Sequence, residues 1–154
     1  MRLFEFWRKL TGSAQSERKA ITPRADRVLE LARTEAAKSG RPEPTLTDLS
    51  IALLSINEGV AFTVLKCLQV DLNEVRRAAW SQPLMTPLED LMPIAESERR
   101  QLCHAFLGTE HLLLALLRHG ENPLARHLKD QGIDPTFARE ETLKALDPNY
   151  RIDK

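Results

Sequence analysis

Apolar residues recur at intervals of three and four along nearly the whole chain, and no stretch sustains the strict alternation of a half-buried strand. The pattern predicts an all-α protein of about eight helices. Thr22-Pro23 opens the first, with a hydroxyl to cap the free amides and a proline at the first helical position, and Ser39-Gly40 stops it. Pro42 and Pro44 then hold a non-helical connection. A second helix capped by Thr47 runs through Ile56, a third covers 60–68, and Asp71 with Glu74 three residues on forms an Asp version of the capping box for a fourth. Trp80 to Met85 read as a linker. Thr86-Pro87 opens the fifth helix, inside which Pro93 demands a kink or a late start. Thr109 caps the sixth, Gly120 and Gly132 are stops, and Asp134-Pro135 starts the last.

The pattern also repeats. Residues 46–72 lie against 109–135 without a gap and agree at 8 of 27 positions, among them the capping acids Asp71 and Asp134. Upstream, Ala32/Ala95 and Glu35/Glu98 keep the same offset of 63. An internal duplication follows, with Thr22/Thr86 and Thr47/Thr109 expected in equivalent places.

Composition narrows the function. Lys+Arg and Asp+Glu are both 22, so no overall positive field collects phosphate backbones, and aromatics at 5% leave little material for stacking on bases. Nucleic acid is therefore not an expected partner. Basic residues gather in the first 41 positions, as suits partner docking. The two cysteines, Cys67 and Cys103, build no disulfide framework, and Cys67 in its apolar run reads as a small buried thiol; a reducing, cytoplasmic setting is expected. No apolar run approaches the ~18 residues of a membrane span.

Chemistry-bearing residues are few. His104, His111, His119 and His127 with Cys103 lack HExxH or CxxC, and their spacings place no close pair of ligands on one helical face, so no metal or other cofactor is expected. Cys103-His104 is a poor nucleophile and base, because adjacent helical residues point about 100° apart. Leu112, Leu113, Leu116 and Leu117 read as core, and Thr109-Glu110 as capping and dipole compensation. No catalytic constellation is visible.

The segments TPRADRVLELARTEAAKSG and LGTEHLLLALLRHGENPLARHLKDQGID resemble the Clp N-terminal (Clp R) repeat domain, over about residues 21–146. The resemblance implies two pseudo-twofold-related four-helix repeats, about 21–80 and 84–147, behind a segment 1–20. It also implies a module found at the front of AAA+ unfoldases. No GxxxxGK[ST] is present, so the expectation is the recognition module without its motor, a stand-alone adaptor, accessory subunit or regulator in Clp-dependent proteolysis. Implied partners are Clp unfoldase or peptidase subunits, adaptors, and substrates that include arginine-phosphorylated ones. In some relatives the Glu of GTEH and the Thr opening each repeat hold a substrate guanidinium. Residue by residue, Thr22, Thr86, Thr109 and Glu110 match, while the first repeat places Thr47 opposite Glu110, and only a one-residue slip lets Asp48 serve. One intact pocket is expected.

Ahead of that region, Leu3, Phe4, Phe6, Trp7 and Leu10 with Arg2, Arg8 and Lys9 form a short basic amphipathic segment suited to docking on a partner. Packing onto its own domain and lying on a membrane are the rival uses. A small helical ligand-binding protein is the alternative from another functional class.

Overall fold

The computed structural model describes residues 21–81 and 85–147. Among these residues eight α-helices follow one another: α1 Pro23–Lys38, α2 Leu46–Ser55, α3 Val60–Cys67, α4 Leu72–Ser81, α5 Met92–Gln101, α6 Thr109–His119, α7 Pro123–Asp130 and α8 Pro135–Leu146. A single 3-10 turn, Leu88–Asp90, precedes α5. The all-α expectation holds, and α2/α6, α3/α7 and α4/α8 begin 63 residues apart. The first and fifth helices break the match. Pro93 stands second in α5, where its missing N–H has no intrahelical role, so the helix starts late and Thr86-Pro87 opens only the 3-10 turn.

Three local readings are corrected. Thr45, not Thr47, caps α2: its hydroxyl accepts from Asp48 N–H while the Asp48 carboxylate accepts from Thr45 N–H at 2.8 Å. Gly108, not Thr109, is the N-cap of α6, and the imidazole of His111 supplies the returning acceptor. Thr47/Thr109 are therefore one position out of register; Thr47 answers to Glu110 and Asp48 to His111. The fourth helix continues through Trp80 and Ser81, which the linker reading had excluded. Cys67 is exposed, because it lies on the outer side of the last turn of α3.

One core runs through both halves. Leu29, Leu46, Leu49, Leu53 and Leu65 join Leu88, Leu91, Leu112, Leu113, Leu116 and Leu128 in a single buried cluster, so the leucine stripe of α6 is core as read. The helices meet in exchanged pairs. α2 packs on α6; α3 packs on α6 and α8, and their mates α7 on α2 and α4. Such reciprocity is what a pseudo-twofold axis between α2 and α6 requires. Openings cross in the same way: Thr22 N–H donates to Leu107 O at 2.9 Å, and Leu88 N–H to Pro44 O, the mate of Leu107, at 3.0 Å. Each repeat's opening thus sits against the other repeat's second helix.

The duplication is also recorded in the backbone. Left-handed residues occur at Gly40/Cys103, Asn57/Gly120 and Gln69/Gly132, each pair 63 apart, and each with one glycine and one residue carrying a side chain. At Gln69 the C-terminus of α3 closes as a Schellman motif, with Gln69 N–H on Lys66 O and Val70 N–H on Leu65 O. A side chain in that conformation costs about 1 kcal/mol. Gln69→Gly and Cys103→Gly are each expected to stabilise the protein by about 0.5 kcal/mol once the glycine's extra unfolded-state entropy is offset. Urea unfolding measures it, and a loss at both sites would contradict the account.

Candidate functional site

The opening of α6 carries the residues of the expected pocket. Glu110 is its second residue, where a carboxylate is favoured by the positive end of the helix. Its side chain is 17% exposed and folds back over Gly108: a Cβ built on Gly108 would stand 2.4 Å from Glu110 Oε2. The nearest ionisable partner, His111 Nδ1, lies 3.9 Å away, and among the described residues no hydrogen bond holds the carboxylate. Capping explains neither residue of the Thr109-Glu110 pair, since the Gly108 amide is taken by His111. Thr109 is 3% exposed and pinned by a close approach from α3, where a Cβ on Gly59, at φ 96°, would come within 3.2 Å of Thr109 Oγ1 and 3.4 Å of Arg24 Cδ. Thr22 completes this side: its hydroxyl caps α1 through Ala25 N–H, and its own amide is tied to Leu107, two residues before Thr109.

Beneath Glu110 lies a histidine pair that spacing alone did not reveal. His111 is fully buried, its Nδ1 accepts from Gly108 N–H at 2.8 Å, and its Nε2 lies 2.8 Å from His104 Nδ1. An Nδ1 that accepts has no proton, so the neutral ring carries its hydrogen on Nε2 and donates to His104. Burial, with the His104 ring and the Arg99 guanidinium nearby, lowers the His111 pKa to about 4. His104 is held in turn: Arg99 Nη1 donates to His104 O at 2.7 Å, while the same guanidinium grips the Glu96 carboxylate and holds it below the usual carboxylate range.

His104, Glu110 and His111 bring possible metal ligands within 4.8 Å of one another, a closeness that the reading of helical faces did not reveal. The loop between α5 and α6 joins them, not one helical face. The donor set fits a metal poorly. A bound imidazole keeps a proton on its other nitrogen, yet His111 Nδ1 is an acceptor and Nε2 carries the hydrogen. Cys103 does not lie on a helix beside His104 but in the left-handed turn after α5, exposed.

The first repeat has changed every one of these positions. In the register of 63, Arg41 stands for His104, Thr45 for Gly108, Thr47 for Glu110 and Asp48 for His111. Where two imidazoles share a hydrogen bond, Arg41 grips Asp48 with two bonds of 2.6 and 2.8 Å, and the Asp48 side chain is 3% exposed. That carboxylate serves Thr45 and Arg41 from within, so Asp48 lacks the exposure and the unoccupied oxygens that Glu110 has among the described residues. Thr86 accepts from Leu46 through its carbonyl, while the bond that mirrors Thr22 N–H on Leu107 O is Leu88 N–H on Pro44 O, so Thr22 and Thr86 are not in equivalent places. Reading the offset at polar positions as well as leucines would have exposed Arg41/His104. The docking residues Leu3, Phe4, Phe6, Trp7 and Leu10 lie outside the described residues.

Comparison with known proteins agrees with this architecture. Residues 84–152 match the Clp repeat (R) N-terminal domain. The chain is 31% identical over 138 residues to the chloroplastic chaperone protein ClpC of Pisum sativum, covering 82% of this chain and 15% of that protein. It is 30% identical to the chaperone protein ClpB of Oceanobacillus iheyensis, covering 84% and 17%. The chain thus spans about a sixth of the length of these curated relatives. In structure it superposes on the N-terminal domain of the ClpD chaperone from Arabidopsis thaliana with a TM-score of 0.62 at 16% identity, covering 83% of this chain and 95% of that one.

Proposed function

We propose that this chain, which carries a Clp N-terminal repeat, is a non-catalytic protein-binding module acting as adaptor, accessory subunit or regulator in Clp-dependent, ATP-driven proteolysis. The similarity to Clp N-terminal domains supports a Clp-related interaction module. The finer assignment rests on one observation: the Glu110 carboxylate stands at a helix start, 17% exposed and without a hydrogen bond among the described residues. A forked guanidinium is the natural occupant of such a carboxylate, so the partner presents an arginine or a phosphoarginine. Only the second repeat keeps this arrangement, Thr86 facing a repeat whose acid has become Thr47.

Calorimetry with arginine and phosphoarginine tests the pocket. Glu110→Ala is expected to weaken binding about tenfold while costing about 0.3–1 kcal/mol of stability. Gly108→Ala should weaken binding comparably and leave the fold intact, because its extended φ of −111° suits any residue and the atoms nearest the new methyl are those of the Glu110 carboxylate, the end of a flexible side chain. Absence of heat at millimolar ligand would leave Glu110 a dipole-compensating acid and end this reading. The segment Leu3 to Leu10 is proposed as a second docking element, for a Clp subunit or adaptor. Deleting residues 1–18 should abolish capture of purified Clp unfoldase or peptidase subunits and lower the melting temperature by only about 1–2 °C, whereas a segment packed on its own domain would cost several-fold more.

A further inference from the structure

The end of α6 opposite to Glu110 opens onto a cleft between α5, α6 and α8, with a volume of about 410 Å³. Its charged residues are Glu98 of α5, Arg118 of α6 and Arg139 of α8; the rest of the wall is uncharged. Two cations thus share one acid. Arg139 donates from Nη1 and Nη2 to the two Glu98 oxygens at 2.7 and 2.8 Å, so one guanidinium already satisfies this buried carboxylate. Asp134 caps α8 through Thr136 N–H at 2.7 Å and stands outside the wall.

Arg118 is the cation left over. Its Nη1 stands 3.8 Å from Glu98 Oε1, too far for a hydrogen bond, its side chain is 52% exposed, and among the described residues it makes no hydrogen bond. A cation in the last turn of a helix is favoured by the negative helix end, which accounts for the charge of Arg118. It does not account for a guanidinium turned towards a carboxylate whose two oxygens are taken. Nor does the fold require a cation there: in the register of 63 the mate of Arg118 is Ser55, whose hydroxyl donates to Ile51 O at 2.7 Å.

We infer that this cleft binds an acidic side chain of a partner protein, its carboxylate on the Arg118 fork and its aliphatic stem against Leu117 and Pro135. The net charge of the wall selects the occupant. Two guanidinium groups against one carboxylate leave a surplus of one positive charge, which a single carboxylate cancels with two parallel bonds. A cationic side chain would add to the surplus, and a neutral one would take water from Arg118 without giving it a charged acceptor. A phosphate dianion would exceed the surplus and place the excess beside Glu98.

The full chain is titrated by chemical-shift perturbation with three probes: acetyl-Ala-Glu-Ala-amide, its neutral Gln counterpart and its phosphoserine counterpart. The Glu probe is expected to bind about tenfold more tightly than the Gln probe and to shift the amides of Leu117, Arg118 and Thr136. Arg118→Ser should abolish that preference. Because Arg118 makes no hydrogen bond among the described residues and Ser55 stands at its place in the first repeat, the variant should keep the wild-type circular dichroism spectrum. Glu110→Ala should leave the preference for Glu over Gln unchanged, which separates this cleft from the guanidinium pocket. Equal binding of the Glu and Gln probes, no shift at millimolar concentration, a preference that survives Arg118→Ser, its loss on Glu110→Ala, or tighter binding of the phosphoserine probe than of the Glu probe would each overturn the inference.

Discussion

Arg139→Ala is expected to destabilise the protein by about 3 kcal/mol, lowering the melting temperature by about 10 °C, whereas Arg76→Ala costs less than about 1 kcal/mol. The two arginines are mates in the duplication, and so are their partners Glu98 and Glu35; each pair ties the first helix of a repeat to its last. Burial separates them. Glu98 is 1% exposed and receives two bonds of 2.7 and 2.8 Å from Arg139, so removing the guanidinium strands a carboxylate inside the protein. Arg118, with its Nη1 3.8 Å from that carboxylate, remains as a partial replacement and keeps the loss near the lower end for a broken buried pair. The Glu35 side chain is 16% exposed, is bonded to Arg76 at 3.3 and 3.4 Å, and also meets Lys38. Water reaches it when Arg76 is gone. Adding Glu98→Gln to Arg139→Ala should recover much of the loss, since the stranded charge is then absent. Urea unfolding of the three variants checks this, and equal costs for Arg76 and Arg139 would refute it.

Acidification is expected to remove about 3 kcal/mol between pH 6.5 and pH 4 through His111 alone. The folded ring titrates at about 4 and an unfolded one near its model value of 6.5, so between these the unfolded chain binds the extra proton. Stability therefore rises with pH across the window, is complete above 6.5, and is lost as pH falls towards 4. The groups around the ring are His104, Arg99, Glu98, Glu96 and Glu110. His104 and Arg99 oppose its charge and Glu98 and Glu96 favour it, but desolvation outweighs them all. His111→Gln keeps a side-chain acceptor for Gly108 N–H and removes the titration, so its stability should be lower at neutral pH and change less between pH 6.5 and 4. The same dependence in wild type and variant would show that His111 does not govern it. Protonation would place a hydrogen on Nδ1 and so break the bond accepted from Gly108 N–H, while Nε2–H still donates to His104, and the cap beside Glu110 would be disturbed.

Most of the fold was legible in the chain itself. The period of three and four, the capping residues Thr22, Asp71 and Asp134, and the stops at Gly40, Gly120 and Gly132 are short-range signals, settled within a turn or two of helix. The register of 63 then gave the pairing of halves. Errors had local causes and were one or two residues wide except at the fifth helix, which Pro93 makes start at Met92 and not at Thr86. Thr45, Thr47 and Thr109 all satisfy a propensity for capping, and only the returning acceptors, Asp48 and His111, decide which residue is the cap.

The site was legible in part. Glu110 was found by its motif, and Thr47 opposite it by register. That Asp48 is committed to Arg41, that His104 and His111 share a hydrogen bond, and that Glu98 is buried with Arg139 follows only from which helices meet. A sequence lists charges without saying which of them water still reaches, and Glu35 and Glu98 read alike along the chain. Tertiary packing closes one against Arg139 and leaves the other half open, and the same packing turns one repeat's buried capping acceptor into an ion pair and the other's into a neutral imidazole, because desolvation depends on neighbours far away in sequence.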